Sequence, residues 1–160
     1  MAQYNVWQNN QLRPSLDVLS KEELTRDRGA FFGSIFGTLN HILWADTIWL
    51  HRFGAGPEPR VDARQHTQTT ADLADWHAER TRIDANLAAW AASLTQAELD
   101  QDLVWSSKLS DREQTTPMGI AAVHVFNHQT HHRGQVHAML TSAGQPAPVS
   151  DLPYLPENST

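Results

Sequence analysis

Apolar residues recur along this chain at spacings of three and four, the period of an α-helix, and almost nowhere alternate as in a strand. The first predicted helix starts near Ala2 and carries Tyr4, Trp7, Leu12, Leu16 and Leu19. Pro14 lies inside it and removes a backbone donor, so a kink or a split is expected there. "SKEEL" follows as a capping box, with Ser20 the cap and Glu23 reaching back. The second helix is predicted over residues 30–53, with apolar positions on two neighbouring faces (Phe32, Phe36, Leu39, Leu43 and Leu50; Ile35, Ile42 and Trp49). So wide an apolar surface predicts a helix buried between several others. "GAGPEPR" ends it, and residues 54–69 form a polar connection.

The third helix is predicted from about Thr70 to Ser93. Its seam of Leu73, Trp76, Arg80, Ile83, Leu87, Trp90 and Leu94 alternates threes and fours and contains one charge. "TQAE" at Thr95 to Glu98 is a second capping box, and the helical period is lost over residues 101–116, where "LVWSS" suits a short extended piece. A fourth helix is expected from Pro117, with Thr116 as cap, to Ser142, ended by Gly144. The four prolines of "QPAPVSDLPYLPENST" rule out a regular tail; Leu152, Tyr154 and Leu155 are its candidates for packing on the body. The pattern predicts an all-α four-helix bundle, a single domain over residues 1–160 with residues 144–160 an irregular, proline-rich tail.

Composition narrows the function. The 160 residues contain no cysteine, so no disulfide or thiolate chemistry is available from the chain. A formal net charge of −6 opposes a nucleic-acid backbone. No apolar run approaches the roughly 18 residues of a membrane span, and "MAQYNVWQNN" lacks the basic start and apolar core of a secretion signal. A cytoplasmic protein without nucleic-acid or membrane partners is expected.

Nine histidines are the unusual entry in the composition, and "FNHQTHHRGQ" holds three of them in five positions. His124, His128 and His132 fall at spacings of four, which places them on one helix face, one turn apart. Three neutral imidazoles on a metal leave an open coordination position, as in a catalytic zinc site. Angular position alone leaves His131 and His132 both within reach of His128. A further ligand has to come from another helix, and His41, mid-helix in the most apolar segment, is either that ligand or a hydrogen-bonded core residue. His51, His66 and His77 read as solvated.

Two familiar metal chemistries are excluded. A zincin protease carries a Glu immediately after its first ligand, and here that residue is Gln129, which cannot take a proton. A carboxylate di-iron bundle needs Glu-x-x-His pairs, and residues 118–142 contain no Asp or Glu. Around the ligands, His124, His131 and Gln135 are candidates for supporting or pocket-lining roles, and Asn5 and Asn9 could reach a ligand's free ring nitrogen. Arg80 is either an edge ion pair or an anion clamp for a substrate carboxylate, and Arg133 carries the same two readings.

The segments "YNVWQNN", "FGTLNHILWADTIWLHRF" and "HVFNHQTHHRGQVHAML", with the spacing between them, resemble the DinB/YfiT family of metal-binding four-helix proteins over nearly the whole chain. The resemblance implies an up-down-down-up bundle that frequently forms a homodimer, an expectation the wide apolar surface of the second helix shares. It also implies one divalent metal held by three histidines, which correspond to His41, His128 and His132 here. Zinc or nickel suits such a site best, with iron or manganese as alternatives. Some members of the family are transferases or isomerases that use a low-molecular-weight thiol. The functions to be weighed are therefore a thiol-dependent enzyme acting on a small molecule, a hydrolase using metal-bound water, and a non-catalytic metal-binding stress-response protein.

Overall fold

The structure is a computed structural model that describes residues 1–107, 112–146 and 148–157. It is mostly helical, and its long helices are α1 (Ala2–Asp17), α3 (Ile35–Arg52), α4 (Leu73–Ser93) and α6 (Met118–Ser142). Between them come two short helices, α2 (Lys21–Thr25) and α5 (Gln96–Leu99), and a 3-10 helix at Ala63–Gln68. α3 packs on α4 and α6, and α1 packs on the same two helices, so the four close a ring in which α1 and α3 face each other across the core. Leu12, Leu16, Leu39, Leu43, Ile83, Leu87, Val136 and Leu140 fill that core. No helix among the described residues is long and apolar enough to cross a membrane.

Local chemistry moved three of the expected boundaries. α1 runs unbroken through Pro14 to Asp17. Pro14 and the residue one turn before it, Asn10, are both exposed, so the carbonyl that loses its partner is open to water. α3 begins at Ile35 rather than residue 30, because Gly33 adopts φ +75° and the Ser34 side chain accepts from the Gly37 N–H at 3.0 Å. The residues ahead of it form a tight loop closed by the Arg28 N–H on the Gly33 carbonyl at 2.7 Å, and Phe32 projects from this loop. Thr116 does not cap α6: it lies in a strand, where its hydroxyl accepts from the Trp105 indole at 3.1 Å, and Pro117 stands at the N-cap without a side-chain bond.

That strand corrects the purely helical expectation. β1 (Asp102–Ser106) pairs antiparallel with β2 (Glu113–Pro117), with Leu103 opposite Thr116 and Trp105 opposite Gln114. The extended piece expected at "LVWSS" is therefore one half of a hairpin, while residues 108–111 of the segment without helical period lie outside the described residues. The Arg52 guanidinium lies 4.0 Å from the ring centre of Trp105 and 4.6 Å from that of Trp49, and the two rings meet at 5.2 Å, which ties the hairpin to the end of α3.

The tail is attached differently from the expected apolar contacts. Leu152 and Tyr154 are exposed. Instead, side chains of α1 bind tail carbonyls: Tyr4 donates to Ser150 at 2.5 Å, Gln8 and Gln11 to Val149 at 2.7 and 3.0 Å, and Ser15 to Pro146 at 3.4 Å. Ala147 and residues 158–160 of the expected tail lie outside the described residues.

Candidate metal centre

α3 delivers His41, and α6 delivers His128 and His132 one turn apart. The packing of these two helices brings the three together. His41 Nε2 lies 3.1 Å from His128 Nε2, and one ring nitrogen from each of the three histidines lies within 4.8 Å of the others. Nitrogens on a tetrahedral zinc, at bonds of about 2.0–2.1 Å, stand about 3.4 Å apart, so the group is already close to a ligand set. Phe32 covers it from the loop ahead of α3, with its ring centre 3.9 Å from that of His41 and 5.1 Å from that of His132.

The protonation of the cluster follows from burial. Loss of water, followed by the neighbouring His128, His132 and His66, pushes His41 down to about 3. Burial, then His132, His124 and His131, pushes His128 down to about 3 as well. His132 is lowered by burial and by His131, against the raising effect of its bond to Gln135. All three are neutral near pH 7, the form in which imidazole offers a lone pair. Two of the rings also have a partner for the other nitrogen: His132 Nδ1 lies 2.9 Å from Gln135 Oε1, and His41 Nδ1 lies 3.0 Å from His66 Nδ1. The donor set fits a divalent metal.

Gln135 thus sits where a supporting residue was expected. His131 stands beside the cluster, its Nε2 3.4 Å from the Gln135 amide nitrogen and its ring centre 4.8 Å from that of His132. His124 lies one turn back, 5.6 Å from the His128 ring and 5.1 Å from Trp49, and burial followed by Arg52 lowers its pKa. His51 is exposed as expected, whereas His77 pairs with Asp17 at 2.7 Å. His66, expected in solvent, packs against the site instead. Its signal in the sequence was weak, since it lies in a connection with no period.

Arg80 is neither an edge ion pair nor an anion clamp. It is buried to 1% exposure and reaches Asp46 of α3 at 2.5 Å and Asp84, one turn on, at 3.0 Å. Burial alone would lower its pKa, but Asp84 and Asp46 more than offset this and hold the guanidinium charged. The contacts continue around a closed ring. Gln129 donates to Asp46 at 2.7 Å and accepts from Arg133 at 2.9 Å; Arg133 also donates to Asn5, and Asn5 and Asn9 donate to Asp84 at 3.3 and 2.9 Å. Asn5 and Asn9 therefore serve this ring and not the histidines. The ring draws on all four long helices and joins two arginines to two aspartates, so its formal charges cancel.

Fold and site define a mostly helical protein with a tri-histidine cluster compatible with holding a divalent metal. The chain belongs to the DinB family, whose model matches residues 1–159. It is 29% identical over 153 residues to the Protein DinB of Bacillus subtilis (strain 168), a match covering 94% of this chain and 88% of that one. Its fold is similar to the crystal structure of a DinB-like protein from Bacillus cereus ATCC 10987, with a TM-score of 0.58 and 20% identity over 90% of this chain and 91% of the other.

Proposed function

We propose that this protein binds one divalent metal, zinc or nickel in the first place, through His41, His128 and His132, and uses it in a thiol-dependent S-transfer or isomerisation on a small molecule in the cytoplasm. The observation that carries the metal reading is the convergence of three neutral ring nitrogens from α3 and α6 within 4.8 Å. His41 and His132 each have a partner for the remaining ring nitrogen, which aims the coordinating one inward. Held by His41, His128 and His132, a metal would supply a positive charge able to favour the thiolate form of an external thiol. Phe32, packed on His41 and His132, keeps water from part of the cluster.

The thiol reading is favoured over hydrolysis by the acid groups. A metal-bound water is best used with a nearby base, and Asp46 and Asp84, the buried carboxylates of the core, are committed to Arg80. A non-catalytic metal-binding role in a stress response is the remaining alternative. The ring of long helices, in which α1 and α3 are diagonal, is proposed to run up-down-down-up.

A homodimer belongs to the same proposal. Of the apolar faces of α3, Ile35, Leu39, Ile42, Leu43 and Leu50 are buried within one chain, while Phe36 and Trp49 are half-buried. Ile120 and Val123 of α6 and Val104 of β1 remain 63%, 66% and 56% exposed and offer the surface. Sedimentation at micromolar concentration should give twice the 18.0 kDa of one chain.

Elemental analysis of freshly purified protein tests the metal reading, with about one metal per chain expected. Turnover of electrophiles by the metal-loaded protein, with and without added thiols, tests the chemistry. Turnover only with thiol supports the transferase, turnover in water alone supports the hydrolase, and none under either condition leaves the binding role.

A further inference from the structure

The tri-histidine group accounts for His41, His128 and His132, but a fourth imidazole touches it from outside. His66 lies on the 3-10 helix Ala63–Gln68, in the connection between α3 and α4, and its Nδ1 is 3.0 Å from Nδ1 of His41. It does not belong to the convergent set, whose members are His41, His128 and His132 alone among the described residues. Its contact is with the back of a ligand, on the nitrogen that faces away from His128.

Several interactions hold it there. Asn40, the residue before His41, is fully buried. Its side-chain oxygen accepts from the Thr70 N–H at 2.8 Å and from the Thr70 hydroxyl at 2.7 Å. The Thr69 hydroxyl is 3.3 Å from the Asn40 carbonyl and 2.9 Å from the His66 carbonyl. Two consecutive residues of α3 therefore engage one connection: Asn40 fixes its backbone, and His41 meets its imidazole. Phe32 packs edge-on against His66 with ring centres 5.2 Å apart, and Trp44 stands 6.1 Å away.

The consequence is a matter of proton count. A ring nitrogen that coordinates a metal carries no proton, so a His41 that coordinates through Nε2 bears its proton on Nδ1. The group 3.0 Å away must then accept, which puts the His66 proton on its Nε2 and its lone pair toward His41. A carboxylate or a carbonyl is the usual acceptor behind a metal-bound imidazole. Here another imidazole takes that place, and unlike them it is itself able to bind either a proton or a metal.

We propose that His66 is a positioning residue for the metal centre, accepting the Nδ1 proton of His41 and thereby fixing the tautomer and the angle of that ligand. The inference rests on the tri-histidine reading. It adds that the connection between α3 and α4, and not only the two ligand helices, sets the affinity of the site.

The test is a competition titration of the purified full-length protein with zinc ions against a chromophoric chelator, in wild type, His66→Ala and His66→Asn, each checked by circular dichroism. The side-chain oxygen of Asn falls where Nδ1 of His falls, so it restores an acceptor without an imidazole. Zinc affinity should drop about 10–100-fold in His66→Ala, with one zinc per chain still bound at saturation, and recover most of that loss in His66→Asn. Nitrogen-15 spectra of the zinc-loaded wild type should show His41 protonated on Nδ1. Undiminished affinity in folded His66→Ala overturns the proposal. So does an Asn variant as weak as the Ala variant, since the acceptor would then not be the cause. Complete loss of zinc in both variants would make His66 a ligand rather than a support. A wild type that takes up no zinc or nickel sinks the tri-histidine reading itself, and the role of His66 falls with it.

Discussion

Two groups of polar side chains, one buried and one half-buried, lie side by side in this molecule, and they are built on opposite plans. The ring of Asp46, Arg80, Asp84, Asn5, Arg133 and Gln129 is closed: each member hydrogen-bonds or ion-pairs with the next, and two positive charges meet two negative ones. The histidine cluster is open. Two of its rings, His41 and His132, find partners on their outer side, while one nitrogen of each of the three converges with the others within 4.8 Å. Buried polar groups are normally satisfied by the protein. A set of ring nitrogens that converge in this way is compatible with holding a divalent cation. The two groups are adjacent in sequence, since Gln129 follows His128 and Arg133 follows His132. Alternate positions of α6 thus serve structure and site.

The comparison breaks most visibly under substitution. Arg80→Ala should leave two buried carboxylates without their cation and destabilise the fold by about 3–5 kcal/mol, read as a fall in the denaturation midpoint. If Arg80→Ala unfolds at the wild-type midpoint, the ring is not the structural half of the pair. His41→Ala should do the reverse: most of the bound metal is lost, while the helical circular dichroism is kept. The same holds for His128→Ala and His132→Ala. Full metal occupancy in folded His41→Ala would move the site elsewhere, with His124 as the next candidate.

A third expectation concerns acid. His41 and His128 are lowered from 6.5 to about 3 in the folded protein, so between those values the unfolded chain binds more protons than the folded one. Stability without metal should therefore be constant above pH 6.5 and decline steadily as the pH falls toward 3. Metal adds to the effect in the same direction, because protons compete for its ligands. Denaturation midpoints of stripped and loaded protein should converge in acid. A metal-dependent gain that persists undiminished at pH 4 contradicts a three-imidazole site. Smaller still is the effect of Gln135→Leu, which removes the acceptor behind His132 and should weaken metal binding by roughly tenfold. His131→Ala, off the convergent set, should keep its metal within twofold.

What the sequence revealed and what it hid divide along the same line. His128 was legible as the middle of a run of histidines at spacings of four on one helix, which fixes relative direction within the helix. His41 was legible as a polar residue where the pattern demanded an apolar one. The choice of His132 over His131 came from family resemblance, since the angular positions left both open; the structure puts His132, not His131, in the converging set. Arg80 stood out in its seam for the same reason as His41, yet its main partner Asp46 comes from another helix and has no sequence signature. His66 was hidden most fully. Its position depends on Asn40 gripping Thr69 and Thr70 across 29 and 30 residues of chain, a contact that no local period encodes. The early start assigned to α3 failed because "FFGS" reads as apolar run and cap at once, and the cap wins.

The attachment of the tail bears on how freely this protein can change. α1 recognises Pro146, Val149 and Ser150 through main-chain oxygens, which every amino acid supplies alike. The side chains of that stretch are thereby released from the task of recognition. Substitutions there that preserve an extended backbone should accumulate easily, while Tyr4 and Gln8 on the opposite side of the contact should not vary in step with them. For an engineer, the tail is a place to write a new sequence without renegotiating its anchorage.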